Sequence, residues 1–369
     1  MEHTIYVMDE NFSLAAVISD YASFQMKRRL YEVGDMELHL PYGARGAGEL
    51  RPGRVLFLEP GRPGILTKIE VSESKKGVEL AAYGTQLKGI VARRITVPDA
   101  EDERLLFGYD RFPAPDAPEA PAESIFKHYA ARHMLSPFDE RRRIPRLAVA
   151  EDLGRGMRAR WSSRFEGLDK VFQALGEYTG MGYDLTLDLE QQRYVFDVIA
   201  GQNRASTSSA PVVFSVQYGN VQSTKYSLDT KPYINAAYAG GAGEGEARLI
   251  QTVFRENAEG LERRESWLDL GNIEMVEDLL YEAQHKLEKS VVTETLTGAI
   301  VQTGPFIYGK DYDLGDTVTV HSRATGLEKD AQITEISESY EKGQRKVSVT
   351  FGKRQQNILD EIRRSQIAR

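Results

Sequence analysis

Leu66-Thr67-Lys68-Ile69 leads through a polar turn at Lys75-Lys76-Gly77 into the alternating run 78–83, closed by Gly84, and the chain writes this stretch twice. Near its other end Ile333-Thr334-Glu335-Ile336 leads through Glu341-Lys342-Gly343 into the run 347–351, closed by Gly352. The upstream neighbours match too: Gly53-Arg54-Val55-Leu56-Phe57-Leu58 and Gly315-Asp316-Thr317-Val318-Thr319-Val320 each read as a turn followed by a strand. From the shared Thr to the closing Gly the copies differ by one residue. The pattern predicts two related β-barrel modules set far apart in one polypeptide, with Gly53, Gly77, Gly84, Gly315, Asp316, Gly343 and Gly352 as their structural turns. Three such chains would build a ring of six nearly equivalent positions, able to mate a three-fold object to a six-fold one.

Outward from these copies, residues 4–98 read as short strands between turns. Met36, Leu38 and Leu40 alternate with polar neighbours, 55–58 form a buried run, and 65–71 and 78–83 follow. A small barrel is the economical closure, because it leaves no exposed edge. Four prolines between 113 and 121 make a stiff extended connector. Pro121 is placed to open a helix whose face is Ile125, Phe126, Tyr129, Ala130 and His133, ending before Pro137. Ser163 and Glu166 have capping-box spacing ahead of Leu168, Val171, Phe172 and Leu175, with Gly180 as terminator, and strands are expected at 183–189 and 193–199. A further helix is expected over 275–287, with Val276, Leu279, Leu280, Ala283 and Leu287 on one face. The fold class is therefore α+β and β-rich, with two related small β-barrels and inserted α+β domains. The first barrel spans 1–98 and an α+β domain 99–210. A discontinuous second barrel takes 211–240 and 291–353, an inserted α+β layer 241–290, and a helical, polar tail 354–369.

With 369 residues the chain can bury a sizeable core, and with no cysteine it has neither disulfides nor thiolate sites, which suits a reducing cytoplasm. The N-terminus lacks the basic start and apolar core of a signal peptide and no run reaches membrane-span length, so no membrane insertion is expected. A net charge of −8 argues against general nucleic-acid binding. His128 and His133 lie five apart, missing the spacing that sets two ligands on one helix face. Asp311, Asp313 and Asp316 echo a calcium loop, but the Gly falls one position early and no Glu occupies position twelve, so a tight turn is the reading. Arg141-Arg142-Arg143, flanked by Asp139 and Glu140, reads as a solvated loop or a salt-bridged subunit contact. No nucleophile elbow, zinc helix or nucleotide loop occurs. The expectation is a protein without catalytic residues, metal or cofactor.

Several stretches, in order along nearly the whole chain, resemble the Gp37-like tail hub family of long-tailed phages, relatives of the baseplate hub of contractile phages. They are Glu177-Tyr178-Thr179-Gly180-Met181-Gly182-Tyr183, then Tyr233-Ile234-Asn235-Ala236-Ala237-Tyr238 with Gly243-Glu244-Gly245-Glu246, then Arg263-Arg264-Glu265, and finally 312–320. The resemblance implies a structural virion protein, assembled in the host cytoplasm and resident in the tail tip or baseplate. It implies a homotrimer whose barrels are tube domains in a pseudo-six-fold ring around a channel for tape measure and DNA. The partners implied are the distal tail or tail tube protein, the tape measure protein, and a tip, fibre or lysin protein. An alternative of another class is a cell-wall-active or carbohydrate-binding tail protein, with Trp161 and Trp267 as stacking candidates and Tyr178 nearby.

Overall fold

A computed structural model describes residues 3–75, 77–98, 110–114, 116–271, 273–290, 292–301, 304–323, 326–341 and 343–352. The tail expected over 354–369 lies outside them. Seven strands come first: β1 (Ile5–Met8), β2 (Leu14–Ile18), β3 (Ser23–Arg29), β4 (Asp35–Pro41), β5 (Val55–Phe57), β6 (Gly64–Ser74) and β7 (Gly77–Gln86). Period-two hydrophobicity makes them strands: Met36, Leu38 and Leu40 of β4 are buried while Asp35 is exposed.

The chain continues through β8 (Asp110–Phe112), β9 (Ala120–Pro121), α1 (Ala122–Ala130), β10 (Leu147–Val149), β11 (Arg158–Ala159), β12 (Trp161–Ser163), α2 (Leu168–Thr179), β13 (Gly182–Asp188) and β14 (Arg193–Ile199). The buried faces of α1 and α2 meet β13 and β14 in one core that includes Phe126, Phe172, Tyr183 and Phe196. Pro121 ends β9 and α1 opens one residue later. A helix start at Ser163 does not form. Ser163 is paired with Asp110 in the β12–β8 ladder and Phe165 sits at φ 52°, so α2 begins only at Leu168 and ends at Gly180 with φ 74°.

Next come β15 (Asn203–Arg204), β16 (Val213–Ser215), β17 (Val221–Asp229), β18 (Ala236–Gly240), β19 (Ile250–Phe254), β20 (Glu265–Asp269), α3 (Val276–Lys289), β21 (Thr293–Ile300), β22 (Thr317–Ser322), β23 (Leu327–Glu341) and β24 (Gln344–Phe351). The main sheet runs β17-β21-β24-β23-β3-β4-β7-β6-β5-β1-β2, with β22 beside β23 and in turn flanked by β15 and β16. Among the described residues this path stays open, and no closed barrel is found within the chain. The β3 edge is covered by β23, with Arg29 opposite Glu335 and Ser23 opposite Glu341, and the early and late strands become one sheet.

The chain divides into two compact units, residues 1–224 with 297–351 and residues 225–296 with 352. The expected boundary at 240/241 is displaced. β18, assigned from sequence to the second barrel, instead pairs antiparallel with β19 and parallel with β20 in a separate sheet. The reason is packing: Ala237 and Ala239 of β18 and Val253 of β19 share a core with Leu279, Ala283 and Leu287 of α3.

The two hairpins quoted at the outset have the same geometry. In β6–β7 the register shifts between Leu66 and Lys68, at Thr67; in β23–β24 it shifts between Ile333 and Glu335, at Thr334. Seven residue pairs then run from Lys68↔Tyr83 to Ser74↔Gly77 in the first hairpin, and seven from Glu335↔Thr350 to Glu341↔Gln344 in the second. In each, the last pair joins residues three apart in sequence. The Thr67 hydroxyl donates to Tyr83 O at 3.3 Å, and that of Thr334 to Thr350 O at 3.4 Å. The flanking strand repeats as well: Val55↔Ile65 and Leu56↔Gly64 recur as Thr317↔Gln332 and Val318↔Ala331.

Candidate functional site

The joint between β3 and β23 is where the residues of the first unit converge. Arg28, on the buried side of β3, donates to the Tyr308 hydroxyl at 2.8 Å, to Asp313 Oδ1 at 3.0 Å and to Asp184 Oδ2 at 3.1 Å. Burial alone would disfavour its charge, but Tyr308, Asp184 and Asp313 overcome this and raise its pKa. Arg62 lies 3.9 Å from the Tyr308 ring centre and 3.3 Å from Glu338 Oε1, which also accepts from Arg345 at 2.5 Å. The Tyr340 hydroxyl donates to the other oxygen of Glu338 at 3.1 Å. One buried carboxylate of β23 is thus held by three donors.

Beside it Lys88 is fully buried, and its ammonium reaches the carbonyls of Arg29 at 2.5 Å, Leu30 at 3.1 Å and Tyr183 at 3.1 Å. Burial pulls its pKa down to about 7, with Asp184 acting in the opposite sense. Three donors meeting three carbonyls match the charged form. Gln86 accepts from the backbone N–H of Arg29 at 3.0 Å and of Gly34 at 2.8 Å. These groups fix strand ends to one another; they do not pair a nucleophile with a base. A cleft of about 620 Å³ opens along the joint, lined among others by Gln25, Lys27, Glu37, Ser337, Ser339 and Lys346. Its lining also includes Met26, Met36, Ile300 and Val347, and its charged side chains are of mixed sign.

The turn residues expected from sequence occupy several different situations. Gly53 and Gly315 both stand at φ 92°. The Gly53 N–H donates to Leu66 O and the Gly315 N–H to Ile333 O, each at 2.8 Å. Asp316 accepts from Gln202 N at 2.7 Å, Asp313 N at 3.0 Å and Arg204 Nε at 2.9 Å, which accounts for the carboxylate without a cation. Gly77, at φ 127°, opens β7 opposite Ser74, whereas Gly343, at φ 73°, lies in the loop itself. Gly84 is not a turn. It sits within β7 opposite Leu66, where a Cβ would come 2.3 Å from Ile65 O, and its register position in the second hairpin is taken by Phe351 opposite Ile333. Gly352, at φ 78°, follows β24, so the two closing glycines are not equivalent and the one-residue difference in spacing is explained.

Sequence reading missed a buried charge cluster on α1. His133 Nε2 lies 2.7 Å and Arg132 Nε 3.2 Å from Asp110 Oδ2, and His128 Nε2 lies 3.6 Å from Asp110 Oδ1. Burial opposes the Asp110 charge, yet His128, His133 and Arg132 hold its carboxyl well below the usual range. His133 itself is lowered by burial, against the pull of Asp110. Five-residue spacing brings both rings to one carboxylate because the helix widens to a π-turn over Ala131–Leu135. The basic run behaves as a surface: Arg141 pairs with Asp139 at 2.9 Å and Arg143 with Glu140 at 3.1 Å.

Of the aromatic candidates, Trp161 packs against the α1/α2 core, with Tyr178 at 6.3 Å between ring centres. Trp267 lies on the outer face of the second unit's sheet, over Gly240 and beside Arg248. The two tryptophans belong to different units, so they form no shared platform within either.

The family model described as Siphovirus ReqiPepy6 Gp37-like protein matches residues 4–353. The chain belongs to this family. No curated protein matches the Gp37-like chain. Among solved structures it is similar to the 43 kDa tail protein of prophage MuSo2 from Shewanella oneidensis, with 14% identity, a TM-score of 0.53, and 95% of this chain and 98% of that one covered. A tail protein from Neisseria meningitidis MC58 is similar at 12% identity and a TM-score of 0.52, over 94% and 95% of the two chains. At such identities the likeness concerns the fold. The family's quoted stretches fall at structural corners of the Gp37-like chain. Residues 177–183 carry the end of α2 through Gly180 into β13, and 312–320 carry the Asp313–Asp316 turn into β22.

Proposed function

We propose that this Gp37-like chain is the structural tail hub of a phage-like particle: a homotrimer whose six hairpin modules, two per chain, stand as tube-type barrel domains in a pseudo-six-fold ring. The ring joins the tail tube or distal tail protein to a three-fold tip and surrounds the channel through which tape measure protein and DNA pass. A tip, fibre or lysin protein supplies whatever acts on the cell. The observation that carries this reading is the recurrence of one hairpin at two places, with the same bulge, the same run of seven pairs and the same flanking strand. Two like modules in one chain are what a trimer needs to present six similar positions. The network of buried Arg28 and Glu338 with part-buried Arg62 and Arg345 supports it, because it holds the joint between the two modules in one geometry.

Light scattering on the purified chain tests the proposal. It predicts a particle of three times the 41.4 kDa chain mass. A monomer that persists at high concentration in the presence of neighbouring tail proteins contradicts it.

A further inference from the structure

Arg141 pairs with Asp139 at 2.9 Å and Arg143 with Glu140 at 3.1 Å, but Arg142 between them makes no ion pair among the described residues. Its Nη2 donates to the carbonyl of Ile95 at 2.5 Å. Arg94 reaches back across the same gap: its Nε donates to the carbonyl of Arg142 at 2.5 Å and its Nη1 to that of Arg93 at 2.9 Å. Carbonyls thus hold two half-buried guanidiniums side by side. Burial and then Arg94 lower the Arg142 pKa, and Asp139 pulls the other way from its pairing with Arg141. A carbonyl dipole offsets the repulsion of neighbouring cations less well than a carboxylate would.

A second pair flanks the first. Arg93 and Arg146 are exposed, and Arg146 Nη1 donates to the carbonyl of Gln192 at 3.3 Å. Burial raises the pKa of Tyr194, Arg146 and Arg93 both lower it, and Glu10 and Asp9 raise it, which places the two guanidiniums around one phenol. Asp9 is already drawn to Arg54 at 3.7 Å. Among the described residues, Arg93, Arg94 and Arg146 make no ion pair either. Arg94, Arg142 and Arg146 are each fixed through one or two N–H groups, and the rest of each fork is left for another acceptor. In a chain of net charge −8, four neighbouring arginines without a carboxylate partner among the described residues make an anion-binding surface.

We propose that Arg94 and Arg142 grip one phosphate group together while Arg93 and Arg146 meet the next phosphate along, so that the chain binds a phosphodiester-linked polymer without bases. Two guanidinium pairs suit repeating phosphates better than a free ion. The rings beside the second pair favour a carrier without bases. Phe12 is 8% exposed and packs against the half-buried Tyr194 at 4.9 Å between ring centres, so neither offers a stacking platform. The site goes beyond the ring reading and does not rest on it.

Calorimetric titration of the full chain with a short poly(glycerol phosphate) tests the site. Binding is expected, weakened at least about tenfold in Arg94→Gln/Arg142→Gln and less than about twofold in Arg141→Gln/Arg143→Gln, which removes two positive charges from the already paired neighbours. Equal losses in the two variants overturn the site, because binding would then follow net charge alone. Arg94 and Arg142 also tie two backbone segments together, so Arg93→Gln/Arg146→Gln is measured beside them. It is expected to weaken binding with the melting temperature unchanged, and an unchanged affinity overturns the two-phosphate grip. Inorganic phosphate that binds as tightly as the polymer overturns that grip too. A single-stranded oligonucleotide of equal charge that binds more tightly than the polymer overturns the choice of carrier. No binding by the parent chain overturns the proposal, and binding that appears only with Asp99→Asn, Glu101→Gln, Asp102→Asn and Glu103→Gln would make the chain's own acidic run the occupant instead.

Discussion

Arg28 is the residue whose loss should be felt most widely, since its guanidinium serves Tyr308, Asp313 and Asp184 at once. Arg28→Ala leaves Asp184, itself only 7% exposed, as a buried charge without its partner. A loss of about 3–5 kcal/mol is expected in chemical denaturation, and a loss under about 1 kcal/mol would show that water replaces the arginine. Tyr183 gives the opposite expectation. Its hydroxyl is buried with no hydrogen-bond partner among the described residues, while its ring packs against Phe172 and Phe196. Tyr183→Phe keeps the packing and removes the unmet group, so stability should hold or rise by about 1 kcal/mol; a clear loss would reveal an unrecognised partner. Asp110 and His133 set an acid limit. Each has a folded pKa below its unfolded value, so each contributes stability at higher pH that drains away as pH falls, His133 from about its ordinary 6.5 downward and Asp110 through the carboxylate range. The melting temperature should fall with acidity, and Asp110→Asn should flatten that slope through the carboxylate range; parallel slopes there would contradict the assignment. None of these partners was legible in the sequence. Arg28 and Tyr308 are 280 residues apart, and nothing in the composition of either neighbourhood names the other.

At the scale of elements, the turns before β5 and β22 make a controlled comparison. Gly53 and Gly315 share φ 92°, but a Cβ on Gly53 meets nothing within 4 Å, while one on Gly315 comes 2.8 Å from Ile199 Cγ2. Gly53→Ala should cost about 1–2 kcal/mol from the left-handed backbone alone, and Gly315→Ala more, because strain and overlap add. Equal losses in denaturant titrations would mean that the Ile199 side chain simply moves aside. The hairpins were legible because alternation, a polar turn and a repeated Thr all sit close in sequence. Their closure was not. Whether β3 meets its own module or β23 depends on a partner hundreds of residues away, which local pattern cannot encode. The Ser163–Glu166 spacing misled for a similar reason. Ser163 is claimed by the β12–β8 ladder, and the positive φ of Phe165 delays the helix to Leu168. β18 was assigned to the wrong sheet because a short run rich in alanine suits either a barrel wall or a strand beneath α3.

For the whole molecule, the proposed ring needs the copied modules to be similar without being identical. They share the hairpin and the strand beside it, then diverge: β5 is flanked antiparallel by β1, whereas β22 is flanked in parallel by β15 and β16. Such differences would let three equivalent chains present a six-part face to the tube and a three-part face to the tip. The chain carries a net charge of −8, and the guanidiniums of Arg62 and Arg28 are already committed to Glu338, Asp184 and Asp313. In the proposed ring, DNA would meet these guanidiniums already paired, and repulsion from the acidic chain reaches about one Debye length, roughly 8–10 Å at physiological salt. An end-on electron micrograph of the assembled oligomer tests the central claim most directly. Six lobes of similar size around an open centre, contributed by three chains, are predicted; three lobes, a filled centre or an odd particle of one or two chains would contradict it.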